Sequence, residues 1–123
     1  MTVHYHEPPE NMSEETREIH RGIASVVEEL EAVDWYHQRM DLTNDPELAA
    51  IAEHNRDEEV EHAAMSLEWL RRRMPVFDEM LRTYLFTSAP ITEVEEQAEA
   101  GEDGGGETEG ASGNPDLGIG GGA

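Results

Sequence analysis

From residue 19 onward the apolar positions Ile19, Ile23, Val26, Leu30, Val33 and Met40 follow alternating steps of four and three residues. His37 stands where the next apolar residue would fall. This is the spacing of one face of an α-helix. Upstream, Asn11 and Ser13 are candidate N-caps, and Glu14 and Glu15 suit the positive end of a helix dipole. The pattern predicts an amphipathic helix of about 28 residues, ~42 Å long at 1.5 Å per residue. Asp41-Leu-Thr-Asn-Asp45-Pro46 interrupts it and starts another, with Asp45 as cap and Pro46 at the first helical position. The second helix should run to about Arg73, and so short a connection makes the two antiparallel neighbours. Pro75 opens a third, shorter helix through Val76, Phe77, Met80, Leu81, Tyr84 and Leu85, ended before Pro90. No strand-like alternation appears. The predicted class is all-α: an antiparallel two-helix hairpin plus a short C-terminal helix, over residues 13–90.

Composition changes what surrounds that unit. Ten of the eleven glycines lie in 101–122, and residues 93–116 hold nine acids and no base. A Gly- and Glu-rich stretch without aromatics cannot bury enough surface to offset its chain entropy. Residues 91–116 therefore read as an acidic linker, disordered over about 100–116, with a frayed helix possible over 91–100. Residues 1–12 read as a flexible leader. A helical unit this small is thin for a self-sufficient core, so oligomerisation is expected on size alone.

Charge and chemistry narrow the partners. Twenty-nine acids face eight bases, all arginines, for a formal net charge of −21. Such a surface disfavours nucleic-acid phosphate and anionic membranes and favours cations or basic protein surfaces. With no cysteine, disulfides and thiolate metal sites are excluded. No apolar run approaches the ~18–20 residues that span a bilayer. The first residues lack the basic start and apolar stretch of a secretory signal, so a cytoplasmic protein is expected.

The second helix carries the anomaly. Its stripe reads Leu48, Ile51, Asn55, Glu58 and Glu59, His62, Met65, Trp69: apolar at both ends, polar in the middle. At about 100° per residue, Asn55 and Glu59 fall within about 60° of His62. Carboxylates and imidazoles are costly to bury unless paired or metal-bound. The plainer alternatives are a solvated face, or an ordinary contact between Glu59 and His62 one turn apart. On the first helix Glu29 lies at about −80°, at the edge of the apolar stripe among Val26, Val33 and Tyr36, where it can point across a helix interface. Glu28, Glu31 and Trp35 fall together on the opposite face, which reads either as a second acidic site beside an aromatic ring or as solvated surface.

One lone Glu and one Glu-x-x-His make half of a ferritin-like di-iron centre, which takes a Glu from each of two helices and a Glu-x-x-His from each of two others. Pairing two chains about a two-fold axis would complete the centre and a four-helix bundle together. Carboxylate oxygens with one imidazole per metal suit Fe²⁺, and also accept Mn²⁺ or Zn²⁺.

Longer runs carry a family resemblance. Val27-Glu-Glu-Leu-Glu-Ala-Val-Asp-Trp-Tyr36, Asp45-Pro-Glu-Leu48, His54-Asn-Arg-Asp-Glu-Glu59, Glu61-His-Ala-Ala-Met65, Leu67-Glu-Trp-Leu-Arg-Arg72, Leu81-Arg-Thr-Tyr-Leu-Phe-Thr87 and Pro90-Ile91-Thr92 resemble the encapsulated ferritins, the ferritin-like cargo of bacterial encapsulin nanocompartments. The tail segment Asp116-Leu-Gly-Ile-Gly120 resembles their encapsulin-targeting peptide. The resemblance implies that Glu29, Glu59 and His62 are ferroxidase-centre ligands, with Tyr36 the aromatic beside them. It implies that Glu28, Glu31 and Trp35 form an outer metal site that controls iron access. It further implies half a ferritin-like four-helix bundle completed by dimerisation, a ring of five dimers (a decamer), and Fe²⁺ oxidation with mineral storage inside an encapsulin shell in the cytoplasm.

The tail departs from the family pattern: Gly121-Gly122-Ala123 replaces the usual Ser-Leu-type ending, which removes one apolar anchor. Leu117 and Ile119 still alternate as an extended bound peptide would. His54 has a family counterpart, but its helical phase lies about 80° from His62. His4, Tyr5 and His6 have no assigned role and read as part of the leader. Two other readings compete with a ferroxidase: a non-catalytic metal-binding or adaptor protein of the same fold, and a purely structural helical assembly whose acids confer solubility.

Overall fold

The computed structural model describes residues 4–103. Among them the chain is all-helical, with α1 at Glu14–Leu42, α2 at Pro46–Arg73, α3 at Pro75–Tyr84 and α4 at Ile91–Asp103, after a single 3-10 turn at Pro9–Asn11. It divides into two compact units, one ending at Asp78 and one beginning at Glu79.

The first unit is the hairpin. Of the two candidate caps, Ser13 takes the role: its Oγ accepts from the Thr16 amide at 3.1 Å. Asn11 instead closes the preceding turn, donating from its amide to Pro8 O. At the corner Asp45 Oδ1 accepts from the amides of Glu47 and Leu48 at 2.9 and 3.3 Å, satisfying donors that would otherwise be orphaned. The leader is tied down over the part described. Arg17 Nη1 donates to Pro9 O and Met12 O, both at 2.8 Å, and the Tyr5 ring stacks on His20 at 4.0 Å.

The interior line of α2 differs from the expected stripe. Its buried residues are Ala52, Ala63 and Leu70, and Glu59 falls on the same line, half-buried. By contrast Leu48, Ile51 and Met65 stay 51, 50 and 63 % exposed. The reason is steric: Ala52 and Ala63 are small enough to let the two backbones approach, and Leu70 finds room because the residue it packs against on α1 is Gly22. Gly22 on α1 shows how close the approach is, since a Cβ there would lie 2.6 Å from Trp69 Cζ3 and 3.2 Å from Leu70 Cδ2. One helix can seal only one side of its neighbour, and large apolar residues such as Leu30, 54 % exposed, are left half-uncovered among the described residues.

At the far end of α2, Glu68 receives both Arg71 and Arg72, and Arg71 also reaches Asp78. The guanidinium of Arg71 first, then that of Arg72, pushes the Glu68 carboxyl down to about 2. Arg73 lies over the Trp69 ring at 4.3 Å.

In the second unit α3 ends at Tyr84, whose carbonyl accepts from Thr87 Oγ1 at 2.8 Å. Phe86 has φ 63°, a left-handed conformation more usual for glycine, with its ring fully exposed. Segment 91–116, expected as a linker with a frayed helix over 91–100, opens with α4, which runs to Asp103. Val94 is its buried residue. Partial burial, then the carboxylates of Glu95 and Glu99, hold the Tyr84 phenol above its ordinary range. The tail motif Leu117-Gly118-Ile119-Gly120 lies outside the described residues.

Candidate metal centre

Glu29 sits midway along α1, half-buried, and its Oε1 is buried with no hydrogen-bond partner among the described residues. A buried carboxylate oxygen without a partner costs about 1–3 kcal/mol, more when charged. Such an atom needs a donor or a cation from outside the described residues.

On α2 the spacing of the Glu-x-x-His motif places its two side chains on adjacent turns. His62 Nδ1 lies 3.5 Å from Glu59 Oε1, and its other nitrogen, Nε2, lies 3.9 Å from Glu58 Oε1. Glu58 also faces His54, with Oε2 at 3.9 Å from Nε2. These separations exceed hydrogen-bond length, so the imidazole of His62 lies between two carboxylates without being held by either. Glu59 is largely covered, with 27 % of its side chain exposed, whereas His62 is 47 % exposed and opens on the uncovered side of the hairpin.

Tyr36 is part-buried, with the Arg39 guanidinium 5.5 Å from its ring centroid. Both line a cleft of about 380 Å³ with Leu42, Leu48, Ile51 and Asn55. The outer trio is divided by exposure: Glu28 is exposed, Trp35 is 46 % exposed, and Glu31 is partly buried. His4 and His6 are exposed on the leader.

The structure thus brings Glu59 and His62 together and leaves Glu29 on the facing helix with an orphaned oxygen. Among the described residues, no three histidine or acidic side chains of the one chain converge on a point that would hold a metal ion. The donor types nevertheless fit divalent iron: hard carboxylate oxygens with an imidazole nitrogen. Glu58 was not singled out as a ligand from sequence, although its spacing four residues from both His54 and His62 was readable and explains how those two histidines share a face.

The chain matches the family model EncFtn-like over residues 4–88. It is 60 % identical over 118 residues to an encapsulated ferritin-like protein of Rhodospirillum rubrum, covering 94 % of this chain and 84 % of that one. It is 56 % identical over 101 residues to a ferritin-like protein of Thermotoga maritima, covering 82 % of this chain and 89 % of that one. A crystal structure of a Nitrosomonas europaea protein superposes with a TM-score of 0.70 at 60 % identity, over 71 % of this chain and 96 % of that one. With more than half of its length matched and relatives this similar, the chain belongs to the EncFtn-like family of encapsulated ferritins.

Proposed function

We propose that two copies of this chain form a ferroxidase, oxidising Fe²⁺ to Fe³⁺ at a di-iron site between subunits. The observation that carries this reading is the orphaned, buried Oε1 of Glu29 on α1, together with Glu59 and His62 3.5 Å apart on the helix packed against it, the donor types of a half-set. The exposed apolar residues of the hairpin, among them Leu30, Ile51 and Met65, support a second copy as their cover.

In this reading Fe²⁺ is the substrate. The acidic surface raises its local concentration, and Glu28, Glu31 and Trp35 form an outer binding point on the path inward. Glu29 and Glu59 of both subunits neutralise the charge of two ferrous ions and fix their spacing, while His62 of each completes the donor set. Each ferrous ion gives up one electron to dioxygen. Tyr36 is the aromatic beside the site. A ring of dimers, a decamer, is the assembly the family resemblance favours. A hairpin pair encloses no storage cavity, so ferric product must be mineralised elsewhere. The encapsulated character of the Rhodospirillum rubrum relative supports an encapsulin shell in the cytoplasm as that place, with Leu117-Gly118-Ile119-Gly120 as the docking segment.

Stopped-flow absorbance after aerobic Fe²⁺ addition tests the reading. Glu59→Ala and His62→Ala should each lose the rapid ferric signal. Unchanged oxidation in both variants would overturn the assignment. A chain that binds Fe²⁺ without any oxygen-dependent ferric signal would be the metal-binding or adaptor protein instead.

A further inference from the structure

One cation occupies the seam of the hairpin near the ligand carboxylates. Arg56, on α2, has only 21 % of its side chain exposed and precedes Glu59 by three residues, a spacing at which helix side chains meet. An ion pair between them would occupy a ligand that iron needs, yet none forms among the described residues. The guanidinium is committed elsewhere. Its Nε and Nη2 both reach Asp57 Oδ1, at 3.1 and 3.0 Å, and Nη2 also lies 3.8 Å from Glu53. Its Nη1 crosses to α1, donating to His37 Nδ1 at 2.9 Å and to Met40 Sδ at 3.5 Å. Guanidinium carries donors only, so His37 Nδ1 is the acceptor and the neutral ring keeps its proton on Nε2. Nε, Nη1 and Nη2 thus each have a partner other than Glu59 among the described residues.

We infer that His37 and Met40 are positioning residues: they hold Arg56 off Glu59 and so keep that carboxylate available to a divalent cation. His37 stands at the one polar break in the apolar stripe of α1, and this contact gives the break a purpose. The inference rests on Glu59 being a metal ligand. Without the acceptor on α1, Nη1 is left part-buried and unsatisfied, and Glu59 is the part-buried carboxylate one turn away. Arg56 and the metal would then compete for the same oxygens. A partly exposed ion pair of this kind should weaken metal binding by up to about fivefold.

The test is a Co²⁺ titration of the full chain, followed by visible absorbance, with solution mass measured on the same samples so that assembly is held constant. His37→Leu should bind Co²⁺ more weakly than the parent, and His37→Gln, whose amide oxygen still accepts, should bind as the parent does. Adding Arg56→Met to His37→Leu should restore parent affinity, a rescue that a merely structural role for His37 would not produce. Arg56→Met alone should bind as tightly as the parent or tighter, and this arm decides if His37→Leu loses helix content. Parent-like binding by a folded His37→Leu, failure of the rescue, or weaker binding by Arg56→Met alone would each overturn the inference. If Glu59→Ala still weakens Co²⁺ binding in those circumstances, Glu59 stands as a metal ligand and only the positioning role of His37 and Met40 falls. If Glu59→Ala leaves Co²⁺ uptake unchanged, both fall.

Discussion

Glu28 and Glu29 illustrate how one side-chain type takes opposite roles at adjacent positions of a helix. Glu28 differs from Glu29 by one position, about 100° around the helix, and that rotation separates an exposed carboxylate from one with a buried, unpartnered oxygen. The cost of the second is borne only while nothing coordinates it. Glu29→Met should therefore stabilise the metal-free protein, by about 1–3 kcal/mol if the whole penalty of the orphaned atom is removed. For a domain of this size, each ~1 kcal/mol shifts Tm by about 4–8 °C. The same variant should no longer be stabilised by added Mn²⁺. Calorimetry in chelator and in Mn²⁺ measures both effects, and a Met variant less stable than the parent in chelator would mean that Glu29 has a partner in solution. Glu29 was legible at this scale because helical phase alone puts it at the stripe's edge. The coupling of His37 to Arg56 was not, because nothing in a one-dimensional pattern says which residue of α1 stands opposite which residue of α2.

At the scale of elements, the chain's punctuation explains the hairpin. Ser13, Asp45 with Pro46, and Pro75 start the three helices of the folding unit, each through a local chemical requirement that needs no tertiary context. The seam between α1 and α2 is a different matter. It follows Ala52, Ala63 and Leu70 rather than Leu48, Ile51 and Met65, because close approach selects small residues, two alanines on α2 and, opposite Leu70, Gly22 on α1. Gly22 belongs to this logic. Gly22→Ala gains about 0.5–1 kcal/mol of helix propensity, but its Cβ would overlap the Trp69 ring at 2.6 and 2.8 Å. Arg73 lies over the same ring at 4.3 Å, so a shift of Trp69 would also disturb that contact. Overpacking of this kind costs about 1–3 kcal/mol. The variant should be destabilised by about 1–2 kcal/mol net, read as a lower denaturant midpoint. A higher midpoint would show that Trp69 swings aside freely.

At the scale of the whole molecule, the dominant fact is incompleteness. A two-helix hairpin with few buried side chains and a row of half-exposed apolar residues carries only half the ligands that its proposed chemistry needs. If shared metal joins two chains, mass action should couple binding to assembly. Solution mass measured anaerobically should increase on addition of Fe²⁺, and Glu59→Ala should abolish the increase. Equal masses with and without Fe²⁺ would mean that apolar packing alone sets the assembly. The −21 net charge acts in the same direction, since bound cations relieve repulsion between two strongly acidic partners.

The all-helical class, the positions of the caps, the corner at Asp45-Pro46 and the candidates Glu29, Glu59 and His62 were readable from sequence. Each depends on local propensity or on angular phase along a single helix, and these are properties of residues a few positions apart. The line of α2 that faces α1, the orphaned oxygen of Glu29 and the commitment of Arg56 to His37 required the folded chain. These depend on distances between residues far apart in sequence, and such distances exist only once two helices have packed.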